Sequence, residues 1–253
     1  GDVSLGAYNF TMTPDFMLRS QLDCIHGKHK IFDIKTRATH AIRQCFHLLP
    51  EVPASERHLH FLDYKIKTKR GLWFSFEREI YDMIRSAFLK YACQIRIGRM
   101  DGAFVAYHNT REIFGFQYVP LTFMDKTVFG STHMANTFFG LASSVLGRVL
   151  DEVLSDYGTA RKLRLTVSPT NRRCVKVAVE EIIDETRLLP ADGREDAKLY
   201  HEVAHERHEW YLWVKTELNG AAVDKPWHFT EDHSLQVSYC LQDLGSRSTK
   251  EDP

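Results

Sequence analysis

The stretch Met17–Arg37 restricts what this chain can fold into more than any other part of it. Two apolar, extended-looking runs, Phe16 to Ile25 and Ile31 to Ile34, flank a short turn rich in Gly and His, and they carry Asp23 and Asp33, with Lys35 directly after the second. Side chains alternate faces along a strand, so Asp33 and Lys35 emerge on one side and Ile34 on the other. If Leu22 to Ile25 pairs with Ile31 to Lys35 as a hairpin, Asp23 arrives beside Asp33. Charged side chains inside buried strands need compensating partners, and two facing carboxylates need a cation.

A hard divalent cation, Mg²⁺ or Mn²⁺, meets that need with oxygen ligands. Asp23, Asp33 and the Ile34 carbonyl form the expected ligand set, leaving room for a coordinated water and phosphate oxygens. Lys35 is expected to orient that water or to neutralise charge developing on phosphorus. The spacing alone also fits solvated charges on a hairpin, so the flanking apolar runs carry much of the weight.

Composition sets wide bounds. With 253 residues, 43% hydrophobic and 12% aromatic, the chain suits a sizeable α/β domain carrying an appendage. No apolar run approaches the roughly 20 residues that span a bilayer, and no signal peptide stands at the start, so a soluble compartment is expected. Cys24, Cys45, Cys93, Cys174 and Cys240 are widely spaced without a C-x-x-C pair, which argues against a zinc knuckle and a disulfide framework. Charge is uneven: residues 1–190 hold 26 Lys and Arg against 20 Asp and Glu, and residues 191–253 hold 7 against 13. The basic part contains the candidate site, as a polyanionic substrate would require. The expected division is therefore 1–190 for the main domain and 191–253 for an acidic, β-rich extension.

Along the chain, residues 3–12 read as extended, Ala38 to Leu49 as a short helix closed by Pro50, and His58 to Lys67 as a strand. That strand ends in a basic turn, Lys65 to Gly71, suited equally to phosphate contact and to a solvated tip. Ser75 is the expected N-cap of a helix with Phe76, Ile80, Met83, Ile84, Ala87, Phe88 and Tyr91 on its apolar stripe. Ala103 to Asn109 and Phe114 to Leu121 read as central strands, Met134 to Tyr157 as a helix stopped by Gly158. Lys162 to Val167 and Cys174 to Val179 read as strands around a second basic turn. Trp210 to Leu218, the Asn219-Gly220 turn and Leu235 to Leu241 suggest the β appendage.

One motif competes with the first. His201-Glu202-Val203-Ala204-His205 fits H-E-x-x-H, which on a helix sets two imidazoles one turn apart for zinc. It runs straight into the β-like Trp210 to Val214. Glu217, His228 and Glu231 are available as a third ligand, but none falls in a recognisable continuation.

The runs Asp15 to Cys24, Phe32 to Ala38, Ser75 to Glu79 and Arg96 to Thr110 resemble the fungal mitochondrial RNA 5′-end processing and stability family, across roughly residues 15–160. That family is placed in the PD-(D/E)XK nuclease superfamily, so the resemblance implies a mixed β-sheet flanked by helices. By position it implies Asp23 and Asp33 as metal ligands, Lys35 as the catalytic lysine and Gln94 as the accessory glutamine of the RecB-like branch. Leu22 stands where the superfamily's name has proline, and no helical Glu precedes Asp23. A metal-dependent ribonuclease acting from 5′ ends in the mitochondrial matrix follows as the expectation. Arg19, Arg37, Arg96 and Arg99 are expected on the RNA backbone. The implied partners are RNA, the mitochondrial RNA polymerase, the RNA degradation machinery and the inner membrane. The rival expectation is an inactive, nuclease-derived RNA-binding or scaffold protein in a mitochondrial ribonucleoprotein such as the ribosome.

Overall fold

The computed structural model describes residues 7–27, 30–45, 53, 64–159, 161–171, 174–188, 198–223 and 228–248. It divides into two compact units, Gly1–Gly140 and Leu141–Pro253. The first is mixed α/β. Strands β1 (Tyr8–Met12) and β2 (Met17–Gln21) form an antiparallel pair. A four-stranded sheet follows in the order β3 (Cys24–His26), β4 (Lys30–Ala38), β5 (Gly102–His108), β6 (Ile113–Pro120). β4 runs parallel to β5, and the other neighbours are antiparallel. The parallel crossover contains helices α1 (His40–Cys45), α2 (Phe76–Ser86) and α3 (Phe88–Ile97), as parallel pairing requires a long connection.

The expected hairpin forms: Cys24 lies opposite Phe32 and His26 opposite Lys30. The preceding run differs from its expected burial. β2 alternates exposed and half-buried residues and pairs with β1 rather than with the site strand. Ile25 and Ile34 are about half exposed, at 51% and 47%. The expected strand over His58 to Lys67 falls largely outside the described residues, as does the end of the Ala38 to Leu49 helix.

Ser75 caps α2, its Oγ accepting from the Arg78 N–H at 3.1 Å, with Glu77 and Glu79 in the first turn. The single expected stripe does not continue through one helix. Ala87 (φ −128, ψ −32) breaks it, and Phe88, Ala92 and Ile95 then become the buried residues of α3. An unbroken helix would have carried the stripe through Ala87, Tyr91 and Gln94. Shifting it by one residue, about 100° of helix rotation, leaves Tyr91 and Gln94 half-buried and free to serve the sheet's charged residues. Met83, Phe88, Ile95, Val105, Val119 and Met124 of α4 (Leu121–Val128) form the core of this unit. Asn9 and Thr11 of β1 donate to the Gly98 and Ile97 carbonyls, satisfying groups at the end of α3.

Helix α5 (Thr132–Tyr157) crosses from the first unit into the second. In the second unit, β7 (Leu163–Asn171), β8 (Cys174–Leu188), β9 (Lys198–Leu218) and the short β10 (Ala221–Ala222) pair in that order, and β11 (Leu235–Ser248) pairs with β9. Asn219 and Gly220 both have positive φ, 50° and 79°, as a two-residue hairpin turn demands. Val149 and Val153 pack with Val177, Val179 and Trp210. The division differs from the expected boundary at 190 and 191. β7 and β8, read from sequence as part of the main domain, hydrogen-bond into the sheet of β9.

Residues His201 to His205 lie on β9, not on a helix. Positions four apart on a strand are separated by roughly 13 Å. The two positions of the H-E-x-x-H reading are therefore not one helical turn apart. No helix among the described residues is long and apolar enough to cross a membrane.

Candidate active site

The register of β4 against β5 determines what meets the helices. Asp33, Lys35 and Arg37 lie beside Ala103, Val105 and Tyr107, three residues fully buried on the helix-covered side. Three consecutive same-face positions of β4 are thus charged where an ordinary strand would be apolar. Asp33 and Lys35 meet side chains of α3, and Arg37 meets one of α2.

Asp33, 1% exposed, forms an ion pair with Lys35, whose Nζ lies 2.6 Å from Oδ2. Gln94 of α3 bridges the two: its Nε2 donates to Asp33 Oδ1 at 3.2 Å, and its Oε1 accepts from Lys35 Nζ at 2.9 Å. The Lys35 ammonium also sits 5.4 Å from the centre of the Tyr91 ring, within cation–π range. Asp23 stands just before β3, at the position opposite Asp33 in the continued register. Its Oδ2 accepts the Ile34 N–H at 3.0 Å. A residue in a ladder turns its N–H and C=O to the same neighbour, so the Ile34 carbonyl faces that same edge. Burial pushes the Asp33 carboxyl above the ordinary aspartate value; Lys35 opposes this, and the nearby Asp23 carboxylate reinforces it.

The structure therefore brings Asp23, Asp33, Ile34, Lys35 and Gln94 together. These residues suit a hard cation. Asp33 Oδ2 is buried and, beyond the ion pair, has no aligned hydrogen bond, and the ligand atoms that Asp23, Asp33 and the Ile34 carbonyl would offer are all oxygens. Two carboxylates are the whole acidic contribution: among the described residues no group of three or more His, Cys, Asp or Glu could hold a metal ion.

The four arginines expected on RNA separate into two kinds. Arg37 Nε pairs with Glu79 at 2.9 Å, and Arg96 pairs with Asp125 at 2.7 Å, both carboxylates being buried. Those guanidiniums pin β4 to α2 and α3 to α4 rather than standing free for phosphate. Asp101, close to both Arg96 and Arg99 in sequence, accepts from the Ile31 N–H at 2.9 Å. Arg19, with its guanidinium 4.8 Å from the Tyr8 ring centre, and Arg99 are exposed.

Two features escaped the sequence reading. Tyr91 looked like a core residue, yet it shares a helix face with Gln94 at three-residue spacing, and that spacing was the available signal. The second is Glu79, which gathers Arg37, Arg43 at 2.7 Å and the His40 N–H, while Arg43 and Arg78 also hold Asp82 at 2.9 and 3.0 Å. Its place in the first turn of α2 gave no sign of burial.

The first unit is thus a mixed α/β domain with a carboxylate–lysine–glutamine cluster at the β3 edge of its four-stranded sheet. Residues 2–151, more than half of the chain, match the family described as mitochondrial protein Pet127. The chain belongs to this family of mitochondrial proteins and is mitochondrial. The Schizosaccharomyces pombe protein named mRNA degradation protein pet127, mitochondrial, is 40% identical over 166 residues, covering 64% of this chain and 30% of that protein. A Saccharomyces cerevisiae protein, PET127, named as a candidate component of the mitochondrial translation system, is 42% identical over 127 residues, 49% of this chain and 15% of its own length. The chain thus spans less than a third of the length of these relatives. No solved structure matches it.

Proposed function

We propose that this chain carries the catalytic core of a metal-dependent ribonuclease that trims mitochondrial RNA from 5′ ends, on a PD-(D/E)XK-like sheet. The observation that carries this reading is the convergence of Asp23 and Asp33 where β3 meets β4, with Lys35 held beside Asp33 by Gln94. The relative named for mRNA degradation supports RNA as the substrate. The mitochondrial matrix, an inner-membrane surface, and contact with the RNA polymerase and the RNA degradation machinery belong to the same proposal.

Asp23, Asp33 and the Ile34 carbonyl would hold Mg²⁺ or Mn²⁺, which supplies Lewis-acid stabilisation and a water of lowered pKa when bound. Ile34 N–H fixes the Asp23 carboxylate at the edge through its Oδ2. Gln94 presents the Lys35 ammonium to the space beside Asp33, where it stabilises negative charge developing on a phosphate oxygen. Tyr91 screens that ammonium on its ring side. Burial of Asp33 lowers the local dielectric and strengthens each of these interactions.

The test is incubation of internally labelled single-stranded RNA with purified protein in Mg²⁺, Mn²⁺ and EDTA. Release of mononucleotides that EDTA abolishes is the expected result. A second reading, an RNA-binding protein that has lost turnover, draws on one observation: the cluster holds only two carboxylates among the described residues. Tight, salt-sensitive RNA binding without cleavage in either metal would favour it.

A further inference from the structure

Segment 65–74 leads into α2, and its surface is unusual. Lys67, Lys69 and Arg70 are exposed, and directly after them Leu72 is 81% and Trp73 60% exposed. The segment is nevertheless firmly built. Gly71 N–H donates to Glu77, the Gly71 carbonyl accepts from Ser75 Oγ at 2.6 Å, and the Phe76 and Glu77 N–H groups return to the Thr68 and Lys69 carbonyls. Trp73 is propped rather than loose: the Arg78 guanidinium lies 4.8 Å from its ring centre, and the His40 ring 5.7 Å away. Much of a large aromatic surface remains open beside three cations.

Its position relative to the candidate site is fixed by β4. His40 stands two positions past the end of the strand that carries Asp33, and the five residue steps from Asp33 to Ala38 span about 17 Å. The platform thus stands a few nucleotides from the carboxylates, in the same unit.

We propose that Trp73, with Lys67, Lys69 and Arg70, forms a stacking platform for single-stranded RNA leading to the Asp33 site. A flat ring accepts any base, and the cations follow the phosphates, which is how single strands are gripped without sequence preference. A membrane surface is the other partner that a basic, aromatic loop can suit. RNA is favoured because the ring is already oriented by Arg78 and His40, and because His40 stands two positions past the strand of the candidate site. This proposal rests on the nucleic-acid reading of that site, but binding and cleavage are separable.

The experiment measures binding of the full chain to a 5′-fluorescein-labelled, 15-nucleotide single-stranded RNA by anisotropy, in EDTA so that nothing is cleaved. Trp73→Ala is expected to weaken binding by roughly 5- to 150-fold, the cost of one base–aromatic stack. Trp73→Phe is expected to retain most of the affinity, and Leu72→Ala to bind within about twofold of wild type, since leucine has no π face. Replacing Lys67, Lys69 and Arg70 together by Ala should flatten the plot of log affinity against log salt by about two. Wild-type affinity in Trp73→Ala overturns the proposal. So does loss of binding to phosphatidylserine-containing vesicles in that variant with RNA binding retained, which would assign the loop to a membrane. If wild type cleaves RNA yet Trp73→Ala binds normally, the platform alone fails. If wild type never cleaves yet Trp73→Ala loses RNA binding, the platform stands and the nuclease reading fails.

Discussion

Gln94 holds Lys35 in place: its Oε1 accepts from the ammonium at 2.9 Å while its Nε2 reaches Asp33 Oδ1 at 3.2 Å. A side chain that orients a catalytic group without touching substrate typically contributes 10- to 100-fold. Gln94→Ala is expected to lower kcat by about that factor while KM for RNA stays within a few-fold. Steady-state kinetics in Mg²⁺ checks this, and an unchanged kcat would remove Gln94 from the site.

Arg37 and Arg96 are structural in this account. Glu79, 1% exposed, receives Arg37 and Arg43, so Glu79→Ala leaves two cations without their shared anion. Breaking a buried pair from one side costs about 3–5 kcal/mol. The expected fall in Tm is roughly 6–20 °C for a domain of this size. Thermal denaturation measures it. Arg96→Ala should likewise lower Tm through the orphaned Asp125, whereas Arg19→Ala and Arg99→Ala should leave Tm nearly unchanged and weaken RNA binding.

The titration of Asp33 tests the electrostatics of the cluster. Burial raises its carboxyl above the ordinary 3.8, so ionised Asp33 opposes folding. Its contribution to stability is complete below 3.8 and is lost as pH rises through the raised value. Carbon-13 NMR of the carboxyl should show a midpoint above 3.8. Lys35→Ala should move that midpoint further up, because a neighbouring cation is removed, and Asp23→Asn should move it down, because a neighbouring anion is removed. The opposite signs would contradict the geometry.

Gly102 opens β5 where a neighbouring backbone comes close. A Cβ there would stand 2.5 Å from the Val119 carbonyl oxygen and 2.9 Å from the Pro120 Cα. Backbone cannot yield as a flexible side chain can. Gly102→Ala should therefore cost about 1–3 kcal/mol, read as a lowered urea midpoint.

Much of the site was legible in the sequence because it is local. The Asp33-x-Lys35 alternation follows from strand geometry, and the Gly-centred turn brings Asp23 back beside it, as the register confirms. Gln94 entered through the family resemblance; the break at Ala87, which turns it toward Lys35, left no mark in a stripe that reads as one continuous helix. The roles of Arg37 and Arg96 were hidden for a different reason. An arginine on a basic surface and an arginine paired with a buried carboxylate look alike in sequence, and only tertiary packing supplies Glu79 and Asp125. Composition draws a boundary near residue 190, whereas the compact units divide between Gly140 and Leu141 and strand pairing joins β8 to β9.

On the proposed function, Asp33 and Lys35 carry metal-dependent cleavage of RNA. The most direct measurement follows a 5′-labelled RNA incubated in Mg²⁺ with wild type, Asp33→Ala and Lys35→Ala, and with wild type in EDTA. Early release of labelled mononucleotide by wild type is expected, with at least about 10²-fold slower release by each variant and none in EDTA. Equal release in all four reactions would contradict it.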